Sequence, residues 1–203
     1  MSVRIITISR QFGSAGHSIG ELVAKKLGIK FYDSELVTKI AEKSGFDASF
    51  IRENGEQTSS GSGLFYDMGM YGGASFAPLS LYDQLYITQH NIIRELADKE
   101  PCVIVGRCSD YVLEDRDDCL HTFIYADGDF RAKRILEIYG DNGVKIEKRI
   151  RDKDNKRSAY YRHYTNREWG DPHNYHLCLN SGFLGIEECA DMIISAVKSR
   201  EGK

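Results

Sequence analysis

The fold is decided by the loop Ser9-Arg10-Gln11-Phe12-Gly13-Ser14-Ala15-Gly16-His17-Ser18-Ile19-Gly20 and by the segments on either side of it. Before the loop, Val3–Ile8 is a short run rich in β-branched residues, which predicts a buried strand. After it, apolar residues recur at helical spacing at positions 19, 22, 23 and 27, and Gly28 stands where a helix C-cap is expected. Ile29–Asp33 predicts a second short strand. Strand, glycine-rich loop, helix and strand in this order predict a βαβ unit.

Strand patterns and helical patterns keep alternating along the rest of the chain. Further strands are predicted at Cys102–Gly106, His121–Ala126 and Leu177–Asn180. Helices are predicted at Ser34–Ser44, Leu81–Lys99, Phe130–Tyr139 and Gly185–Arg200, and Lys145–Tyr164 predicts either one long basic helix or a helix pair. Residues 54–80 hold six glycines and are interpreted as a mobile loop or lid edge. This order predicts an α/β fold, a parallel sheet of about five strands with helices on both faces.

Length and composition indicate one ordinary globular domain. The chain has 203 residues and a mass of 23.0 kDa, with 41% hydrophobic and 28% charged residues. This composition excludes a disordered tail and a fibrous repeat. The longest apolar runs are strand-sized, so no membrane span is expected, and no signal peptide is recognised. Five scattered cysteines without a CxxC pair are interpreted as reduced thiols, so we expect a cytoplasmic protein.

The charge distribution argues against a nucleic-acid binder and leaves one basic segment to be explained. The net charge is −3, which is the wrong sign for a general nucleic-acid partner. Residues 145–167 nevertheless hold nine Lys or Arg against three acids, a local charge of +6. Such a segment either serves an anionic ligand or is a solvated helix face, and composition does not decide between the two.

The glycine-rich loop is the best candidate for a ligand site. In an open parallel sheet, ligands bind beyond the carboxyl ends of the strands. Glycines let backbone N–H groups turn toward a phosphate, and the N-terminus of the following helix adds a partial positive charge. We therefore expect Gly13–Ser18, the donor loop, to hold a phosphate, with the Ser18 hydroxyl as a ligand of Mg²⁺. The pattern GxxxxGK[ST] is absent because no lysine precedes Ser18, and a tight turn of small residues needed for packing is the alternative.

Four segments, in order along the chain, resemble the cytidylate kinase-like family, a branch of the P-loop nucleoside monophosphate kinases. They are the stretch Ile8–Asp33, the strand Val103-Ile104-Val105-Gly106-Arg107, the basic run Arg151-Asp152-Lys153-Asp154-Asn155-Lys156-Arg157, and the C-terminal run from Trp169-Gly170-Asp171-Pro172 to Asn180-Ser181. Together they span nearly the whole chain. The resemblance implies a three-layer P-loop kinase fold as a single domain over residues 1–203. It also implies an acceptor-binding region near 34–100 and a basic helical lid near 145–170.

On the donor side, the resemblance implies that the donor loop binds ATP. Its members are Gly13, Ser14, Ala15, Gly16, His17 and Ser18, acting mainly through their backbone amides. Ser18 would also help to hold Mg²⁺, the implied cofactor.

On the acceptor side, the resemblance implies roles for residues from three parts of the chain. Asp33 and Ser34 match the Asp-Ser pair of ordinary cytidylate kinases, and Lys39 stands where those enzymes place an arginine on the acceptor phosphate. Arg107 matches the arginine that grips that phosphate. Asp154 and Arg157 match lid residues, the Asp facing the cytosine and the Arg facing the phosphates.

One departure from the family pattern concerns the charge at the donor phosphates. Aligned through Asp33, the Walker lysine of ordinary cytidylate kinases falls on Gly16. Phosphoryl transfer needs positive charge at the β- and γ-phosphates. An isolated histidine is mostly neutral at pH 7, so His17 is a poor substitute. We expect Arg10, Arg131 or a lid arginine to supply the charge; without one, catalysis is slow or absent.

The expected function is Mg²⁺-dependent transfer of the ATP γ-phosphoryl group to a nucleoside monophosphate, with CMP or dCMP as the first choice. Arg10, Arg107 and Arg157 are the candidate catalytic residues. Two alternatives stay open. A P-loop kinase for another small molecule would share the donor loop and differ within residues 34–100. A non-catalytic nucleotide sensor is allowed by the missing lysine. The sequence gives neither the acceptor nor the oligomeric state.

Overall fold

A parallel sheet lies at the centre of the computed structural model, which describes residues 3–49, 51, 55–56 and 80–201. Its strands are β1 (Ile5–Arg10), β2 (Lys30–Tyr32), β3 (Cys102–Val105), β4 (Cys119–Tyr125) and β5 (Leu177–Asn180). They lie side by side in the order β2-β3-β1-β4-β5, and all neighbouring strands are parallel. The predicted five-stranded parallel sheet is confirmed, with each strand end within two residues of its predicted position.

Helices connect the strands, as parallel pairing requires. The longer ones are α1 (Gly16–Leu27), α2 (Ser34–Ser44), α3 (Leu81–Lys99), α5 (Gly128–Tyr139), α6 (Ile146–Thr165) and α8 (Ile186–Glu201). The short elements are α4 (Ser109–Val112), α7 (Ser181–Leu184) and a 3₁₀ turn (Pro172–Asn174). The basic segment is one helix, α6, rather than a pair. The predicted loop at 54–80 falls almost entirely outside the described residues.

The two faces of the sheet bury two separate apolar layers, because side chains alternate along a strand. On one face, Ile8 of β1 packs with Ile19 of α1 and Ile193 of α8. On the other face, Ile5 of β1 packs with Ile93 of α3. All five side chains are fully buried, and each such burial contributes roughly 1.5–3 kcal/mol. Helices therefore cover both faces, and the three-layer α/β architecture is confirmed. No helix in the described ranges is long and apolar enough to cross a membrane.

The strand order brings the carboxyl end of β1 to the middle of one edge of the sheet. From β1 the chain fills one side with β2 and β3, and then crosses to the other side with β4 and β5. Such a switch point is where open parallel sheets bind ligands. Arg10 ends β1, Asp33 follows β2, and Arg107 follows β3. Three predicted site residues therefore come from strand ends on this edge.

The two halves of α6 are buried to different degrees. Tyr160 and Tyr161 are buried and pack with Cys108 and Trp169. The Tyr161 hydroxyl also donates to Asp110 at 2.7 Å. No residue from 146 to 159, a fully described stretch, is buried. The C-terminal part of α6 is therefore anchored in the protein, and the N-terminal part is less buried.

Candidate active site

The donor loop is shaped by two residues with left-handed backbone conformations. Gly13 has φ 81°, and Ala15, the N-cap of α1, has φ 63°. A residue with a side chain adopts such an angle only when its surroundings hold it there. Ser14 contributes to this hold, because its buried Oγ lies 2.9 Å from the carbonyl of Gln11 and 3.0 Å from that of Ile124. The side chain of Ser14 therefore anchors the loop to β4.

A cavity of about 540 Å³ opens over the donor loop. Every donor-loop residue except Ser14 lines it, and so does Asp33. The N–H groups of Gly16, His17 and Ser18 lie in the first turn of α1, where no carbonyl of the same helix can accept them. The volume is within the range of ordinary ligand sites. The loop predicted to bind phosphate therefore faces an accessible cavity rather than packed side chains.

One wall of this cavity is apolar and partly exposed. The rings of Phe12 and Tyr139 lie with centroids 5.7 Å apart. Ile135 and Ile138 of α5 extend the wall. Tyr139 and Ile138 are 61% and 54% exposed, which is high for residues of their size and polarity. An exposed apolar wall of this kind suits a flat ring.

The side chain of Arg10 occupies the space beside Gly16. A Cβ atom at position 16 would lie 2.5 Å from Cβ of Arg10 and 2.9 Å from its Cγ. Carbon atoms that are not bonded stay about 3.5 Å or more apart. Position 16 therefore accepts only glycine while Arg10 is in place. The side chain of Arg10, at the end of β1, therefore lies over position 16, where the family pattern has its Walker lysine.

His17 and Asp33 form a pair on the cavity wall, with 3.1 Å between Nε2 and Oδ2. The hydrogen bond to Asp33 raises the pKa of His17 above its usual value, against the opposing effect of burial. Burial alone would raise the pKa of Asp33, but the hydrogen bond from His17 and the charge of Arg10 outweigh it and lower that pKa. His17 therefore carries more positive charge near neutral pH than an isolated histidine.

Arg134 of α5 brings a further cation to the donor loop, and the sequence analysis did not select it. Its Nη2 donates to Oγ of Ser18 at 2.8 Å, and both residues line the cavity. The approach depends on how α5 packs against the loop, and no local pattern shows that packing. The Ser18 hydroxyl does face the cavity, and its role as a Mg²⁺ ligand stays a prediction.

Arg131 and Asp154 tie Phe12, the residue before the donor loop, to α5 and α6. Nε of Arg131 donates to the Phe12 carbonyl at 2.8 Å, and its Nη2 pairs with Oδ2 of Asp154. Oδ1 of Asp154 accepts the N–H of Phe12 at 2.8 Å. The carboxylate that was predicted to face the cytosine is thus bound by the main-chain N–H of Phe12 and by a buried arginine. The acceptor role of Asp154 stays a prediction. In this structure Arg131 links the carbonyl of Phe12 to the carboxylate of Asp154.

Arg10, Arg107 and Arg157 converge on the carboxylate of Glu56, and these four residues are termed the arginine cluster. Nη1 of Arg10 donates to Oε1 of Glu56 at 2.7 Å, and Nε of Arg157 donates to Oε2 at 3.0 Å. The main-chain N–H of Arg107 donates to Oε1 at 3.1 Å. Burial alone would raise the pKa of Glu56, but the charges of the three arginines outweigh it and hold that pKa far below its usual range. The three candidate catalytic residues therefore meet in one place.

Two predicted acceptor residues lie elsewhere or are only partly described. Lys39 lies on α2 near Glu95, whose pKa is lowered mainly by its pairing with Lys43. Lys39 lines neither the donor-loop cavity nor the space beside the arginine cluster. The backbone of Ser34 begins α2 directly after Asp33, and its side chain is outside the described part. The acceptor roles of Lys39 and Ser34 stay predictions.

Glu56 is the site residue that the sequence analysis missed most clearly. It lies within the glycine-rich stretch that was interpreted as a loop, and no motif marks it. One signal was available. Three arginines assigned to one edge of a sheet need a nearby anion, because buried charges of one sign are not left unpaired. That reasoning predicts an acid at the site without identifying which one.

The strand order, the loop open to a cavity after β1 and the arginines at the same edge define the class as a P-loop kinase fold. A shikimate kinase from Acinetobacter baumannii is similar, with a TM-score of 0.56 and 16% identity over 99% of this chain and 96% of the other. An uncharacterized protein from Eubacterium ventriosum has a TM-score of 0.73 and 27% identity over 96% of this chain and 98% of the other.

The chain belongs to the cytidylate kinase-like family, whose profile matches residues 5–182. The cytidylate kinase of Archaeoglobus fulgidus is 29% identical over an alignment of 205 residues, which covers 98% of this chain and 97% of that protein. The family resemblance found in the sequence is therefore confirmed. The match extends from the start of β1 into α7, so it includes both the donor loop and the basic helix α6.

Proposed function

We propose that the protein is a Mg²⁺-dependent kinase that transfers the γ-phosphoryl group of ATP to a nucleoside monophosphate, with CMP or dCMP as the first choice of acceptor. One observation carries the proposal. Arg10 and Arg157 line both the donor-loop cavity and the space beside the arginine cluster. A phosphoryl group that passes from a donor in the cavity to an acceptor on the cluster stays in contact with guanidinium groups throughout.

The donor-loop cavity has the features that ATP needs. The free N–H groups and the positive end of α1 favour phosphate oxygens. Arg134 and His17 add positive charge on the same wall, and Phe12 and Tyr139 offer aromatic faces for the base. Phosphates and base would thus meet different walls of one cavity, which fixes the orientation of the nucleotide.

The residues on the cavity wall also fit a Mg²⁺ ion that arrives with ATP. Mg²⁺ takes few protein ligands and is held largely by waters and substrate phosphates. The Ser18 hydroxyl and the Asp33 carboxylate are hard oxygen ligands on this wall. In the described part of the chain, no group of three His, Cys, Asp or Glu side chains forms a metal cage of its own. When bound, the ion would neutralise charge on the phosphates.

Arg10 takes the place of the missing Walker lysine in this proposal. Its side chain passes over Gly16, and its guanidinium reaches the wall shared by the two sites. A guanidinium is charged at every relevant pH and can contact two oxygens at once. The charge that the family's lysine supplies from the loop would therefore come from the end of β1.

The arginine cluster has the features that an acceptor phosphate needs. Arg107 is buried, and its Nη1 has no hydrogen-bond partner among the described residues. Such a buried donor costs roughly 1–3 kcal/mol, and a phosphate oxygen would satisfy it. The acceptor phosphate is already anionic, so no strong general base is required. Catalysis then consists of positioning and charge neutralisation, and the cytidylate kinase relative makes CMP the first choice.

A coupled assay of ADP release tests the proposal. CMP, dCMP, UMP, AMP and small metabolites are compared as acceptors, and ATP binding is measured separately. Turnover with CMP or dCMP supports the proposal. Turnover only with an acceptor that is not a nucleotide would indicate a P-loop kinase for another small molecule. ATP binding without turnover would indicate a nucleotide sensor and contradict the proposal.

We also propose a cytoplasmic location. All five cysteines are free thiols, and four of them are buried. Burial raises the pKa of Cys102 and of Cys119 to about 12, so neither thiol is prone to react. Free thiols of this kind suit a reducing compartment.

A further inference from the structure

The carboxylate of Glu56 fills the space on which the three arginines converge. Its two oxygens accept from Arg10 and Arg157, and the backbone N–H of Arg107 donates to one of them. Gly106 makes this approach possible, because a Cβ there would collide with both Arg10 Nη1 and Glu56 Oε1. The chain thus provides both the carboxylate and the room that the carboxylate occupies.

Little space remains beside the carboxylate. The free volume there is about 20 Å³, bounded by residues that include Ser9, Cys108 and Tyr160. A water molecule needs a cavity of about 10–15 Å³, so the space holds about one water. A phosphate group, with three terminal oxygens around phosphorus, does not fit while Glu56 is in place.

The charges of the arginine cluster are also unequal. Three arginine charges stand against one carboxylate charge. The guanidinium groups of Arg10 and Arg157 bind the carboxylate, whereas Arg107 donates to it through its main-chain N–H, and Nη1 of Arg107 has no hydrogen-bond partner among the described residues. A phosphate monoester carries up to two negative charges and three terminal oxygens, and arginine is well suited to bind it. The cluster therefore matches a phosphate monoester better than it matches its present occupant.

We propose that Glu56 is a built-in competitor for the acceptor phosphate, so that a phosphate monoester binds Arg10, Arg107 and Arg157 by displacing the Glu56 carboxylate. The inference rests on the proposed function for the identity of the ligand as a nucleoside monophosphate. In the free protein, the carboxylate holds together three cations that would otherwise repel each other. This competition lowers the apparent affinity for the phosphate monoester, because only those molecules in which the cluster is open can bind it.

Calorimetric titration with inorganic phosphate tests the proposal on the full chain and needs no turnover. The variants are Glu56→Gln, which removes the charge, and Glu56→Asp, which keeps the charge and shortens the side chain. An Asp at this position cannot span Arg10 and Arg157 as Glu does, so it competes less well. We expect phosphate to bind about tenfold tighter to both variants than to the wild type.

The pair of variants separates displacement from a simple charge effect. Tighter binding by Glu56→Gln alone would mean that the negative charge weakens phosphate binding from a distance, which overturns the proposal. Weaker or unchanged binding by both would mean that Glu56 organises the site and stays in it, which also overturns the proposal. If Glu56→Gln does not fold, tighter binding by Glu56→Asp still supports displacement, and unchanged binding still contradicts it.

A matched control is Glu95→Gln, which removes an exposed carboxylate of α3 paired with Lys43. Phosphate affinity should not change in this variant. The inference and the proposed function fail separately. Turnover of CMP with unchanged phosphate affinity in both Glu56 variants would contradict only the competitor. Tighter phosphate binding in both, with no nucleotide accepted, would contradict only the nucleoside monophosphate kinase.

Discussion

The donor-loop cavity and the arginine cluster share Arg10 and Arg157, yet they are built in opposite ways. The cavity has about 540 Å³ of space, and the groups proposed to bind an anion there are main-chain N–H groups of one continuous loop. The cluster has about 20 Å³ of free space, and the carboxylate in it is held by side chains from β1 and α6 and by a main-chain N–H after β3. The first site is open, and the second is filled by the protein's own carboxylate.

The difference follows from the kind of charge that each site uses. A helix N-terminus carries a partial charge of about +0.5 spread over several N–H groups, and water satisfies them when no ligand is bound. Three guanidinium groups carry full charges, and a buried full charge without a partner is strongly destabilising. A site built from main-chain N–H groups can therefore remain without a bound anion, whereas a site built from buried arginines needs an anion at all times.

The largest effect is expected at the wall that both sites share. Arg10→Ala removes the cation over Gly16 and one partner of Glu56, so we expect kcat to fall by about 10³-fold, as for arginines that contact a transferred phosphoryl group. Steady-state kinetics with ATP and the best acceptor measures the effect. Arg94→Ala, which removes a partly exposed arginine paired with Asp115, is the control and should leave kcat unchanged.

A paired substitution shows whether Arg10 replaces the Walker lysine. Gly16→Lys alone should not help, because its Cβ would collide with the side chain of Arg10. In Arg10→Gly/Gly16→Lys neither Cβ nor Cγ of residue 10 remains, so the collision is relieved, and part of the rate lost in Arg10→Gly should return. A double variant no more active than Arg10→Gly would show that Arg10 has a different role.

The second largest effect is expected in the arginine cluster alone. Arg107→Ala removes a buried guanidinium that the donor-loop cavity does not use. We expect acceptor binding to weaken by about 2–3 kcal/mol, the low end for truncating one partner of a buried charge pair. ATP binding should stay within error. Separate calorimetric titrations with CMP and with a non-hydrolysable ATP analogue measure both, and equal losses would contradict the assignment.

Local features of the molecule could be predicted from the sequence more completely than contacts between distant residues. The strands and long helices came from local periodicity, and the donor loop came from six consecutive residues, so both were accessible without the structure. Arg107 and Arg157 were selected because they match positions of the family pattern, and Arg10 because it is a cation near the position of the missing Walker lysine. The predictions of the fold and of the family are therefore confirmed, whereas the roles of the donor loop and of the three arginines stay predictions.

Contacts between distant parts of the chain were not predicted. Glu56 meets Arg157 across 101 residues, and Arg134 meets Ser18 across 116. Such contacts depend on how helices pack on the sheet, which no local pattern encodes. The two serines of the donor loop illustrate the limit. Ser14 anchors the loop and Ser18 faces the cavity, although the residue type is the same.

A smaller effect is expected in α6, whose halves relate differently to the two sites. We expect amide hydrogens at 146–153 to exchange quickly in the free protein and to slow when an ATP–CMP bisubstrate mimic binds, because this half is poorly buried and holds four basic residues that an anionic ligand would attract. Amides at 160–165 should already be protected, since Tyr160, Tyr161 and Thr165 are buried. Hydrogen exchange with mass spectrometry measures both halves at once.

That experiment also decides whether α6 is a lid. Strong protection of 146–153 in the free protein, unchanged by the mimic, would show a permanently docked surface helix. Slowing along the entire helix on binding would show that α6 moves as one body, contrary to the anchoring of its C-terminal half. Only slowing confined to the N-terminal half supports a lid that closes from one end.

The smallest effect is expected at the His17–Asp33 pair of the cavity. Because the pKa of His17 is raised, its ionic contact is fully present below the usual histidine pKa of 6.5 and is lost as pH rises through the raised value. Because the pKa of Asp33 is lowered, its contribution is present above the usual 3.8 and is lost as pH falls through the lowered value. The pair therefore stabilises the loop most between pH 3.8 and pH 6.5, the usual pKa values of the two groups.

The pair should also give the open site a pH dependence that the arginine cluster lacks, because guanidinium groups do not titrate in this range. We expect the affinity for ATP to fall by less than about tenfold as pH rises through the pKa of His17, since the imidazole is half exposed and screened by solvent. In Asp33→Asn the fall should begin at lower pH, and NMR titration of the His17 ring should give a lower pKa. In His17→Gln the fall should disappear. An unchanged pH dependence in His17→Gln would show that the imidazolium does not contact the donor phosphates.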